Sequence, residues 1–150
     1  MGSRIFILCA ALAAAVALAE ERNTQRSNPD QSTLVAGGGI EAGYMVCVWT
    51  NGLAYTAADT NALAGAVVAG IASKTVSSNE ACFVQRGKFR LDNADAALTA
   101  ADIGRDVYVA GPASVTTKAA ASQDIRAGVL AQIQPGTDGT NNAVWVNIRF

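Results

Sequence analysis

Tyr44-Met45-Val46-Cys47-Val48-Trp49-Thr50 places β-branched and aromatic side chains on a period of two, and Asn51-Gly52 follows it. That period sends alternate side chains to opposite faces of a strand. Asn-Gly is the strongest short hairpin signal, so Leu53-Ala54-Tyr55-Thr56 is expected to return beside it. The same grammar continues to the end of the chain. Short strands are expected at Val67–Ala72, at Ala81–Leu91 with a bulge or bend at Gly87, and at Asp106–Ala110. Others follow at Ser114–Thr117, Ile125–Ile133 and Asn142–Phe150.

These strands fall into two similar halves. Gly43-Tyr44-Met45-Val46-Cys47-Val48 aligns with Gly104-Arg105-Asp106-Val107-Tyr108-Val109, and Ala69-Gly70-Ile71 with Ala127-Gly128-Val129. The offsets are 61 residues at the first glycine (104 − 43) and 58 at the second (128 − 70). Each half then carries a polar loop, Ser73–Glu80 or Gln134–Asn142, and ends in an alternating strand, Cys82–Leu91 or Val144–Phe150. Two copies are too few for a solenoid and suit a compact β-barrel or sandwich. The expected class is all-β. Asn93–Asp102 reads as one helical turn or an irregular crossover, and Ala57–Ala66 as loop or short helix.

The chain of 150 residues divides into a hydrophobic segment (1–19), a polar arm or linker (20–35) and the barrel (36–150). Arg4 precedes the apolar run Ile5–Ala19, which ends in Ala17-Leu18-Ala19, the small-x-small form of a signal-peptide cleavage site. The run is short for a membrane span. Its other reading is an alanine-rich, helix-favouring arm that packs on a partner chain. Glu20–Ser32 has no apolar periodicity, and Gly37-Gly38-Gly39 reads as a turn, because no helix signal follows it to make a phosphate cradle.

Histidine is absent. That removes Ser-His-Asp and Cys-His nucleophile systems, histidine-ligated metals and the usual base near neutral pH. Asp92, Asp95 and Asp102 lack the alternating spacing of a calcium loop, and no carboxylate pair forms a hydrolase motif. We therefore read the chain as a non-enzyme with no cofactor and no metal. Cys9, Cys47 and Cys82 form no CxxC pair. With Cys9 cleaved away, Cys47 and Cys82 could pair in an oxidising compartment; with it kept, three thiols suit a reducing cytoplasm.

The net charge of −1 argues against nucleic acid. Arg86, Lys88 and Arg90 share one strand face, either as a solvated face or as a basic stripe for an acidic partner. Core packing is the default for Trp49 and Trp145. On the last strand Val144, Val146, Ile148 and Phe150 share one face, and Trp145, Asn147 and Arg149 the other. Trp145 is thus the better candidate for a partly exposed interface anchor.

TAADIGRDVYV, SVTTKAA, IRAGVLAQI and AVWVNIRF, in that order, resemble the capsid decoration (cement) proteins of tailed bacteriophages. The glycine-led strand of that family is matched by Gly104-Arg105-Asp106-Val107-Tyr108. Its "VT" strand is matched by Val115-Thr116, its "GVA"-like strand by Gly128-Val129-Leu130, and its closing strand by Val144-Trp145-Val146-Asn147-Ile148. Gly43, Val46, Gly70-Ile71-Ala72 and Gly87 repeat the plan, and the resemblance spans about Thr33 to Phe150. It implies a small barrel, usually a homotrimer, that binds the major capsid protein outside the head and stabilises the expanded shell, with no catalytic residues. The family's arm on the capsid would correspond to about Thr24 to Val35, so Thr24, Thr33, Leu34 and Val35 are expected contacts, with Trp145 beside them. The hydrophobic start departs from the family pattern. In this reading the protein is part of the virion and binds no membrane, and Ile5–Ala19 is retained and buried in a subunit contact. The alternative is a secreted β-barrel binding domain that begins at Glu20.

Overall fold

The computed structural model describes residues 30–134 and 143–149. Nine strands run through them: β1 (Asp30–Val35), β2 (Met45–Val48), β3 (Ala54–Thr56), β4 (Val67–Ala72), β5 (Ala81–Asn93), β6 (Asp106–Gly111), β7 (Ser114–Thr116), β8 (Arg126–Gln134) and β9 (Ala143–Ile148). The only helical pieces among the described residues are short 3-10 turns at Asn61–Leu63, Ala94–Ala96 and Ala100–Asp102. The chain is all-β, as the alternation requires. The Asn51-Gly52 hairpin forms, with Gly52 at φ 78° and the Trp49 N–H donating to Leu53 O at 3.1 Å. Asp30–Val35, read as arm from its polar composition, is instead the first strand.

Five strands close a barrel. β5 pairs β9, β9 pairs β8, β8 pairs β6 and β6 pairs β7, all antiparallel. β7 then returns to β5 in parallel through Asp92–Ser114 and Asn93–Val115. The remaining strands repeat that circuit. β1 pairs β5, β5 pairs β4, β4 pairs β2 and β2 pairs β3. A parallel bridge from Ala36 to Ala54 draws β3 back towards β1. The first unit is therefore β1 to β4 with residues 81–86, and the second is residues 87–93 with β6 to β9. The 13-residue β5 belongs to both. Reading the whole of Cys82–Leu91 as the end of the first half is corrected here. Gly87, at φ 138°, marks the point where pairing passes from β1 to β9.

The repeat extends to single hydrogen bonds. Gly43 N–H donates to Ala72 O and Ala72 N–H to Tyr44 O; Gly104 N–H donates to Leu130 O and Leu130 N–H to Arg105 O. Val46 pairs Gly70 and Val107 pairs Gly128, and in both places the register shifts at the next residue. Such a bulge bends the strand and raises its twist, which closing a small barrel needs.

The two interiors are filled differently. The first holds Ala36, Ile40, Val46, Ala54, Ala69, Ala72, Val76, Cys82 and Val84. The second holds Phe89, Leu91, Val107, Val109, Val115, Leu130, Val144, Val146 and Ile148, and Met45, Cys47, Val68 and Ile71 from the outer face of the first unit join it. Much of the first unit's buried alanine is thus a small core, and its β2–β4 sheet is packed on both faces. Asp59 ties the loops of the two units together by accepting the Ser122 and Gln123 N–H groups, each at 2.7 Å.

Cys47 and Cys82 are buried and free, and they belong to different clusters. The disulfide open to a secreted chain is therefore not formed in this fold. Burial pushes the Cys47 thiol up to about 11, and burial raises Cys82 as well. In a C9S background both thiols are expected to resist an aromatic disulfide reagent at neutral pH until denaturant unfolds the chain. Rapid labelling of either in native buffer would contradict their burial.

Candidate functional site

Directly paired residues on neighbouring strands point to the same side. In the first unit Gln31 faces Gln85, Thr33 faces Phe83 and Val35 faces Ala81. Leu34, Cys82 and Val84 occupy the alternate positions and pack against the interior. The row of Thr33, Val35 and Phe83 therefore looks outward. Val35 is 51% exposed and Phe83 37%. The Lys74 ammonium stands 4.9 Å from the centre of the Phe83 ring. Ser73 fixes the strand beneath, donating to Phe83 O from both its N–H and its hydroxyl.

The second unit builds the corresponding face from the end of β5 and from β9. Lys88 faces Asn147, Arg90 faces Trp145 and Asp92 faces Ala143. Trp145 thus stands where Phe83 stands in the first unit, 62 residues apart (145 − 83), and not in correspondence with Trp49. It is only 7% exposed, beside Arg90 on one strand and Gln132 on the other. Its placement as a partly exposed anchor is corrected: alternation set its face, but the ring is buried in the fold. Trp49, expected in the core, is the more exposed tryptophan at 36%. Its indole N–H donates to Ala64 O at 3.2 Å, and its ring meets Tyr55 edge-on at 6.5 Å.

Of the expected contacts, Thr33 and Val35 come together outside, and Leu34 turns inward. Thr24 lies outside the described residues. Phe83 was missed, although the alternation of Cys82 and Val84 had already assigned it to the other face. The carboxylates of the loops hold turns. Asp102 accepts the Thr99 N–H at 2.8 Å and its hydroxyl at 2.9 Å, and these bonds hold its carboxyl below the usual range. Glu80 likewise accepts the Ser77 N–H at 2.7 Å, whereas Asp106 of β6 pairs across the sheet with Arg126 of β8 at 2.7 Å. No group of three or more potential metal ligands occurs among the described residues, and no helix there is long and apolar enough to cross a membrane. Neither a known protein family nor a curated protein matches this chain.

Proposed function

We propose that this protein is a capsid decoration protein: a structural virion component that binds the major capsid protein from outside and stabilises the shell. It would do so as a homotrimer and without enzymatic activity. The outward row of Thr33, Val35 and Phe83 carries this reading. Val35 and Phe83 are exposed apolar side chains on the adjacent strands β1 and β5, and β1 is the described part of the segment expected to meet the capsid. The motifs behind the family resemblance add support, since they fall on β6, β7, β8 and β9 of one closed barrel.

The test is cosedimentation of the purified chain with expanded heads of the phage that encodes it. Wild-type protein is expected to saturate the heads and raise their melting temperature. The V35S/F83A double variant is expected to bind on the order of tenfold more weakly, with the barrel's own melting temperature nearly unchanged. Wild-type protein that stays in the supernatant with mature heads would overturn the proposal.

A further inference from the structure

The repeated fold supplies an internal control for the basic face. Lys88 and Arg90 occupy the positions that Gln31 and Thr33 occupy in the first unit, opposite Asn147 and Trp145 in place of Gln85 and Phe83. The barrel therefore forms with neutral residues at both places. Like charges gathered on one sheet face repel mildly, so electrostatics within the fold do not account for the row.

Arg149 extends the row, two residues beyond Asn147, and is exposed, as is Arg90; Lys88 is half-buried. Among the described residues Lys88, Arg90 and Arg149 make no ion pair. The pairs that form lie elsewhere, at Arg105–Asp102, Lys118–Asp124 and Arg126–Asp106. Asp92, at the end of the row, is the acidic neighbour on this face. Arg86 is engaged in the fold, its Nε donating to Ala69 O at 3.2 Å. Because the whole chain has a net charge of −1, the positive field is local to this face.

We propose that Lys88, Arg90 and Arg149 form a docking surface for an acidic protein surface, one that presents clustered carboxylates. Nucleic acid fits less well. The aromatic ring on this face, Trp145, is buried and not presented for base stacking. The proposal stands on the charge pattern and does not depend on the capsid reading, which the head-binding experiment tests separately.

The experiment follows a fluorescein-labelled oligoglutamate peptide by anisotropy against the full chain, at low and at physiological salt. Binding is expected, weakening as salt rises. The combined K88Q/R90T/R149Q variant is expected to lose about tenfold or more in affinity, while R105Q/K118Q, which removes exposed cations elsewhere, stays near wild type. Its melting temperature is expected to hold or rise, since repulsion is relieved; a fall would mark the row as structural and count against docking. If the combined variant fails to fold, K88Q and R90T alone carry the test, each with a loss of about threefold. No binding by wild type, or an equal loss in R105Q/K118Q, would overturn the proposal. Duplex DNA of matched charge bound more tightly than the peptide would also overturn it, in favour of a nucleic-acid surface.

Discussion

Gly128→Ala is expected to cost about 3 kcal/mol of stability, more than an ordinary overpacked core site, and to leave little folded protein at elevated temperature. A Cβ at Gly128 would lie 2.5 Å from Asn147 O, 3.1 Å from Asn147 C and 2.9 Å from Val146 Cγ1. Two of these three atoms are backbone of the adjacent strand, so no side-chain rotation relieves the overlap. Relief requires β8 and β9 to separate, which breaks the ladder that closes the barrel. Gly70→Ala should behave alike in the first unit, with its Cβ 2.5 Å from Gln85 O and a backbone φ of 153° that side chains rarely adopt. Gly39→Ala is the control, because nothing lies within 4 Å of its added carbon. Urea unfolding of the three variants measures the effect. Midpoints for G128A and G39A that coincide would show that β8 and β9 are not packed this closely.

Asn93→Ala is expected to destabilise the protein by about 2–4 kcal/mol, since two buried bonds are lost and their partners are stranded. The Asn93 amide donates to Leu98 O at 2.9 Å and accepts the Leu98 N–H at 2.9 Å. Asn93 is 6% exposed and Leu98 2%, so water cannot take over these bonds without opening the loop. Between them the backbone passes through positive φ at Asp95 (52°) and Ala96 (51°), a costly path for residues with side chains. The clasp holds that strained turn closed and keeps Leu98 in the core. Hydrogen exchange should show the Leu98 amide losing protection well before the β5–β9 amides. Unchanged protection at Leu98 in N93A would contradict the clasp. In the first unit Ala36 holds the corresponding place, since each makes the parallel contact to β3 or β7. The residues that follow Ala36 in the first unit, Gly37, Gly38 and Gly39, take no positive φ, so no such strained turn has to be held there.

The same two positions show how much could be read in advance. Gly70 and Gly128 stood out as repeat markers, but their close approach to Gln85 and Asn147 depends on strands far along the chain. Asn93 looked like the first residue of a loop, and nothing nearby announced that its side chain would bind Leu98. At the outward faces, alternation set the side of the sheet on which Trp145 lies, whereas Thr33 and Val35 were expected contacts only through the family resemblance, in a segment read as arm. Alternation also contained Phe83, hidden because Ala81–Leu91 reads as a single hydrophobic strand and not as two half-strands with different partners.

Period-two alternation, the Asn51-Gly52 turn and the paired glycines are local properties, and they were enough to specify strands, faces and two similar halves, expected as one β-barrel or sandwich. Each follows from backbone sterics and side-chain direction within a few residues. The sharing of β5 between units, the parallel closures at Asn93–Val115 and Ala36–Ala54, and the conversion of Asp30–Val35 from arm to strand all come from pairing between distant segments. So does the exchange of roles between Trp49 and Trp145. Burial of a ring depends on which strands lie on either side of it, and that is settled when the sheet closes.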